Sequence, residues 1–196
     1  ERNGIRLLTD TRSLAEELLL DPTKVLGLGQ IHLPEPEVVG ADSFEDMSRL
    51  LTQRCEAGLN WRYSGVSTTR LQLGRARLSE ELEVVRALGY ASYFLTVADI
   101  TDMARDRGIR VAARGSGAGS FICHLLGISG VDPLAHGLLM ERFCSPLRGA
   151  LPDIDIDVES ARRLEIYDQV IARYAPPGSW PNGNARCSAV SMVDTY

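Results

Sequence analysis

The stretch Leu151-Pro152-Asp153-Ile154-Asp155-Ile156-Asp157-Val158 constrains this chain more than any other. Acidic and β-branched residues alternate strictly, which reads as a strand because successive strand side chains point to opposite faces. Asp153, Asp155 and Asp157 then share one face, and Ile154, Ile156 and Val158 share the other. Carboxylates in a row repel one another, so a bare fold gains nothing from them. Two divalent cations about 3.5–4 Å apart would offset the repulsion, and polymerases and nucleases use such a pair to clamp attacking and leaving oxygens. Mg²⁺ suits that role, since it takes carboxylate oxygen together with substrate phosphate and water. An edge strand with a solvated acidic face is the alternative reading of the octapeptide alone. An EF-hand Ca²⁺ loop is excluded, because Val158 and Leu164 stand where its Gly and Glu are needed.

The 196 residues suit one domain or a domain and a half. No apolar run approaches the 18 or more residues of a membrane span, and no secretory leader is visible, so a cytoplasmic location without a membrane partner is expected. The chain starts with Glu1 rather than Met, and is expected to be a piece of something longer. Cys55, Cys123, Cys144 and Cys187 are widely spaced, and so are His32, His124 and His136. This scatter points to free thiols in apolar surroundings, not to a zinc site or a disulfide frame. The net charge of −5 argues against a surface that coats nucleic acid generically. An acidic metal site and a local basic patch can nevertheless share one chain.

Along the chain, residues 1–41 read as the tail of a preceding domain and a connector. Thr11 or Ser13 would cap a helix through Leu20 with Leu14, Leu18 and Leu19 as its stripe, and Pro22, Gly27, Gly29, Pro34, Pro36 and Gly40 mark irregular structure. Ser43-Phe44-Glu45-Asp46 has a capping-box shape, followed by Met47, Leu50, Leu51, Cys55 and Leu59 at helical spacing. Residues 61–74 read as a loop. Helices are expected over 79–88 and 93–107, closed by Gly89 and Gly108. Tyr90, Tyr93 and Phe94 suit a core better than a base-stacking platform.

The period then changes. Residues 109–113 read as a short strand, Arg114-Gly115-Ser116-Gly117-Ala118-Gly119-Ser120 as a glycine-rich turn, and 121–126 as a helix. Strand, glycine loop and helix N-terminus together form a sensible anion cradle, with Arg114 and the Ser116 hydroxyl as further donors. A tight turn with close helix packing is the alternative. Neither a dinucleotide fingerprint nor a P-loop fits, since Ser120 replaces the last Gly of one and the loop lacks the Lys of the other. Val131-Asp132-Pro133 is a turn, and a short helix runs through Leu138 to Phe143, where Arg142 either faces a phosphate or pairs locally. Ser160 would cap a helix to Tyr174 with Leu164, Tyr167, Val170 and Ile171 inward, while Arg162 and Arg163 touch DNA backbone or offset the aspartates. Residues 176–196 read as an irregular segment and the start of a further element.

Gly89-Tyr90-Ala91-Ser92-Tyr93-Phe94-Leu95, the glycine-rich turn, Asp132-Pro133-Leu134, Glu141-Arg142-Phe143 and the acidic strand occur in that order at close intervals. The combination resembles the alpha subunit of bacterial DNA polymerase III, the C-family DNA polymerases. Its Pro-Asp-Ile-Asp-Ile-Asp-Val-Glu-Ser-Ala-Arg-Arg form looks most like the error-prone, damage-inducible branch. The resemblance implies an α+β fold, an incomplete polymerase-β-like nucleotidyltransferase palm with a mixed sheet and flanking helices, over residues 42–175. Residues 1–41 would end an N-terminal phosphoesterase-like domain. Asp153 and Asp155 would be the catalytic metal ligands for two Mg²⁺ ions, and Asp157 a supporting carboxylate. Arg114, Gly115, Ser116 and Gly117 would hold the triphosphate, and Arg142 would support them. The implied activity is template-directed dNTP addition to a primer 3′-hydroxyl, in error-prone translesion synthesis. Implied partners are primer-template DNA, a dNTP and, through the full-length protein, a sliding clamp and accessory damage-response proteins. The family's third catalytic aspartate lies on a later palm strand, beyond this chain, so the isolated piece is expected to lack activity. Residues 175–183 depart from the family's short glycine turn. Two competing readings are a non-catalytic scaffold that keeps the palm fold and a different metal-dependent nucleotidyltransferase.

Overall fold

The inward register of the second helix sets the packing of everything around it. Met47, Leu51, Cys55 and Leu59 recur every fourth residue and are all buried, so one stripe of this helix faces the core. The computed structural model describes residues 2–19, 33–145 and 151–174. Contacts divide the chain into two units, residues 1–32 and 33–196. The first unit holds α1, Arg2–Leu18. Thr11 lies inside this helix instead of capping it, its hydroxyl donating to the Leu7 carbonyl at 2.8 Å. Ser13 is likewise mid-helix, and Leu14, Leu18 and Leu19 are exposed. Pro22, Gly27, Gly29 and His32 lie outside the described residues, as do Cys187 and the whole of 175–196.

The second unit is helix-dominated and contains one small sheet. Its elements are α2 (Phe44–Arg62), α3 (Thr68–Leu88), α4 (Ala91–Asp106), β1 (Val111–Arg114), α5 (Phe121–Leu125), β2 (Asp155–Val158) and α6 (Arg163–Tyr174). Single turns of 3-10 helix span Pro36–Val39, Gly115–Gly119, Met140–Arg142 and Ser160–Arg162. Ahead of α2, Ala41 is buried and Leu33 and Val39 pack on the same core. Ser43 caps α2 by accepting from the Asp46 N–H at 3.1 Å, and the Asp46 carboxylate returns to the Asp42 N–H at 3.2 Å.

Of the loop expected over residues 61–74 only 63–67 is non-helical, since α2 runs to Arg62 and α3 starts at Thr68. Ser67 accepts from the Arg70 N–H and starts α3 there, so the helix runs through Gly74. Gly74 serves packing: a Cβ at that position would lie 3.2 Å from Leu59 Cδ1 and 3.5 Å from Phe121 Cζ. The inward stripe of α6 also differs from the expected one. Val170 packs inward as expected, but Ile166 and Tyr174 are the buried residues of the helix, and Leu164 and Ile171 are exposed.

Tyr90, Phe94, Phe121 and Phe143 lie within the main core, with Phe94 and Phe143 edge to face at 6.1 Å. Cys55, Cys123 and Cys144 are all buried. A smaller cluster of Ala104, Ile109 and Ile166, joined by Val111 and Val158, fastens the sheet between α4 and α6. Arg54 bridges α2 to α4 through Asp99 and Asp102 at 2.8 and 2.7 Å, and Arg173 of α6 reaches Asp99 at 3.0 Å. Asp132 closes its turn by accepting from the Leu134 and Ala135 N–H groups. It also accepts from the Tyr63 hydroxyl and from Arg70, both at 2.9 Å. Burial alone would raise its pKa, but those bonds outweigh burial and hold the carboxyl below the usual carboxylate range.

β1 and β2 pair antiparallel with Val111 opposite Val158, Ala112 opposite Asp157, Ala113 opposite Ile156 and Arg114 opposite Asp155. The fold is therefore α+β, but the sheet among the described residues is two antiparallel strands and not a mixed sheet. No helix among the described residues is long and apolar enough to cross a membrane.

Gly58 marks the closest approach of two elements, since a Cβ there would sit 2.1 Å from the Leu125 carbonyl oxygen at the end of α5. Backbone cannot swing aside as a side-chain tip can. Gly58→Ala should therefore lower unfolding stability by about 1–3 kcal/mol or more, read from urea unfolding of the chain.

Candidate active site

Register places the acids. Asp155 and Asp157 project from the exposed face of β2 while Ile156 and Val158 turn inward, and Asp153, just before the strand, is exposed as well. The same pleat puts Arg114 on the acidic face of β1, opposite Asp155. Its Nε lies 3.2 Å from Asp157 Oδ1, so Asp157 is engaged by a cation while Asp153 and Asp155 have no ion pair among the described residues.

The glycine-rich turn follows directly. Gly115 has φ +69°, a left-handed conformation that a side chain rarely tolerates, and a Cβ on it would lie 3.2 Å from Asp155 Oδ2. The bend and Asp155 thus sit side by side, with Arg114, Gly115 and Ser116 exposed. Gly117 is different. It is buried, with Ile154 and Phe143 within 4 Å of where its Cβ would be, so its small size serves packing of the turn onto the residues before β2. Arg142 is exposed on the 3-10 turn Met140–Arg142 and has an interaction partner in the fold. Arg162 is committed elsewhere: it holds both Glu165 oxygens at 2.9 and 2.7 Å and the Arg107 carbonyl at 3.0 Å.

One expected part of the cradle is absent. The N-terminus of α5 does not offer its amides to a ligand, because Glu81 of α3 fills it from inside. Glu81, 1% exposed, accepts from the Phe121 N–H at 3.0 Å, the Ile122 N–H at 3.1 Å and the Ser120 hydroxyl at 3.1 Å. The Cys123 N–H goes to the Ser120 hydroxyl oxygen at 3.2 Å. Arg77 Nε pairs with Glu81 at 2.7 Å. Burial pushes the Glu81 carboxyl above its ordinary value, against the lowering effect of the two amides and Arg77. The far end of the glycine turn is thus anchored by a hidden carboxylate, and only its near end, at Arg114 to Ser116, faces the acids.

Tyr93 is the second residue that sequence reasoning did not connect to the site. Its hydroxyl donates to the Pro152 carbonyl at 2.8 Å and accepts from the Ile154 N–H at 3.1 Å. Both missed residues left a faint signal. Glu81 is a charge in the inward register of Gly74, Leu78 and Val85, and Tyr93 carries a polar tip within an aromatic run.

As a donor set, Asp153 and Asp155 fit a hard cation in kind, being exposed carboxylates beside an exposed cationic bend. They are incomplete in number: among the described residues no group of three or more His, Cys, Asp or Glu side chains is placed to hold a metal. Phosphate oxygen and water would have to supply the remaining ligands.

The bacterial DNA polymerase III alpha NTPase domain model matches residues 49–191. An error-prone DNA polymerase of Anaeromyxobacter sp. strain K is 45% identical over 147 residues, 75% of this chain and 12% of that protein. One from Pseudomonas aeruginosa is 37% identical over 191 residues, 97% of this chain and 17% of its own length. One from Nocardia farcinica is 51% identical over 120 residues, 61% and 10% respectively. The chain therefore spans less than a fifth of these relatives.

Glu81→Ala would leave the Arg77 cation, the Ser120 hydroxyl and two amides without their acceptor, and should cost about 3–5 kcal/mol of stability. The pH dependence has a defined sign. A carboxyl whose folded pKa lies above its ordinary 4.5 holds its proton more tightly when folded. Its contribution is fully present below that ordinary value and is lost as pH rises through the folded one. The stability of the chain minus that of Glu81→Gln should therefore fall as pH rises above about 4.5, measured by urea unfolding across pH.

Proposed function

Because the chain belongs to the bacterial DNA polymerase III alpha family, we propose that it forms the first part of a nucleotidyltransferase palm in a longer DNA-directed DNA polymerase. In this reading residues 42–175 are the palm portion, residues 1–41 close a preceding phosphoesterase-like domain, and 176–196 lead into the next element. The reaction is addition of a dNTP to a primer 3′-hydroxyl on a DNA template. The names of the relatives favour an error-prone enzyme, and in this reading it works in translesion synthesis, DNA repair and replication in the bacterial cytoplasm. Partners of the whole protein would include a sliding clamp and damage-response proteins.

The observation that carries the reading is the contact of bend and acid: Gly115 lies so close to Asp155 that a Cβ would meet its carboxylate at 3.2 Å. A triphosphate lying along Arg114, Gly115 and Ser116 would present its oxygens directly to Asp155 and Asp153. Two Mg²⁺ ions, when bound, would supply activation of the attacking hydroxyl and neutralisation of the leaving pyrophosphate. Asp153 and Asp155 would hold them. Arg114 orients Asp157 and offers its remaining guanidinium donors to phosphate, which suits a planar cation. Gly117 keeps the bend low on the residues before β2, and Arg142, on the 3-10 turn Met140–Arg142, would be a supporting cation.

In a full-length polymerase carrying this segment, Asp153→Asn and Asp155→Asn should each lower primer extension by at least about a hundredfold, with the fold intact by circular dichroism. Extension that survives both substitutions would show a palm fold kept for docking and not for chemistry. Transfer to a small acceptor instead of a templated primer would indicate another nucleotidyltransferase. The isolated chain, with two of the three catalytic carboxylates, should show no primer extension.

A further inference from the structure

Asp153 is the one proposed metal ligand that the sheet does not hold. The β1–β2 ladder ends where Arg114 meets Asp155, two residues short of it. A carboxylate on an unpaired, exposed approach to a strand would ordinarily wander, and it stands beside a second carboxylate that repels it. Something else must fix the backbone on either side of Asp153.

Tyr93 does so. Its hydroxyl donates to the carbonyl of Pro152 and accepts from the N–H of Ile154, so one oxygen closes both backbone groups that flank Asp153. The ring is itself held. It follows the start of α4, meets Phe94 edge to face at 6.0 Å and is half-buried. Phe94 is fully buried against Phe143, so the anchor is continuous with the core. Ile154 in turn packs on Gly117 of the bend. A chain of contacts thus runs from core to Tyr93, to the peptide around Asp153, to the phosphate-facing turn.

We propose that Tyr93 is a positioning residue for the metal site: it substitutes for the missing rung of the ladder and holds Asp153 beside Asp155 and the glycine-rich bend. This rests on the polymerase reading above. It touches neither substrate nor ion, and acts through the backbone of its neighbour. Partners that orient a ligand from behind typically contribute 10- to 100-fold in metal affinity or activity.

The test uses a full-length polymerase carrying this segment, with primer extension measured against Mg²⁺ concentration. Tyr93→Phe keeps the ring and removes only the hydroxyl. It should raise the half-saturating Mg²⁺ concentration about tenfold, with kcat at saturating Mg²⁺ largely restored. Leu59→Val, which loosens the same core where α2 meets Gly74 of α3, should lower the melting temperature and leave the Mg²⁺ dependence unchanged. Asp153→Asn is the control for the underlying reading. If Asp153→Asn is inactive and Tyr93→Phe shows the wild-type Mg²⁺ dependence, or shifts only in melting temperature, the positioning role is overturned and the polymerase site stands. An equal Mg²⁺ shift in Leu59→Val would likewise overturn it, since general loosening would then explain both. An active Asp153→Asn would instead sink the site assignment.

Discussion

Everything at the acidic face depends on the register of a two-stranded ladder. Arg114 opposite Asp155 fixes which face of β2 meets solvent and where the glycine-rich turn emerges. A strand has a side-chain period of two, so a slip by one residue would drive Asp155 and Asp157 into the cluster of Ala104, Ile109 and Ile166 and expose Ile156 and Val158. Two apolar residues, Val111 and Val158, guard against that slip by packing between α4 and α6. The charged face is thus specified by its uncharged reverse.

Charge is handled differently on the two sides of the turn. At the solvent side, Arg114 reaches across to Asp157 in a setting where water screens both groups and the pair itself contributes little. At the core side, Glu81 sits in a nearly dry place and must be matched by Arg77, Ser120 and two amides. A buried carboxylate is a poor device for stability alone. Here it uses up the helix amides, so the turn is locked at its far end and presents donors only at its near end. Tyr93 does the corresponding job for the other half of the site, by tying the approach to β2 down to the aromatic core.

Much of this was legible in residue order. Alternation in 153–158 announced a strand with one acidic face, and the change of period after Gly108 announced the strand and turn beside it. Ser43 as a cap and the four-residue spacing of Met47, Leu51, Cys55 and Leu59 gave α2. Other parts were hidden for physical reasons. Ser67, Thr68, Thr69 and Gly74 carry loop-like propensity, yet tertiary packing on Leu59 and Phe121 overrides it and α3 begins there. Gly58 looks like an ordinary weak helix residue until α5 is found against it. Glu81 and Tyr93 act on partners about forty and sixty residues away, and no local pattern reveals which backbone groups a folded neighbour will leave unpaired.

The buried cysteines carry a consequence of their own. Burial pushes the Cys123 thiol up to about 12 and moves Cys55 in the same direction. Only the thiolate attacks an alkylating reagent, so neither sulfur reacts from the closed protein. Each must wait for the helices around it to part, which makes their labelling rates natural clocks for the breathing of the α2–α5 seam. A probe already written into the chain thus reports how often the scaffold behind the acidic face comes undone.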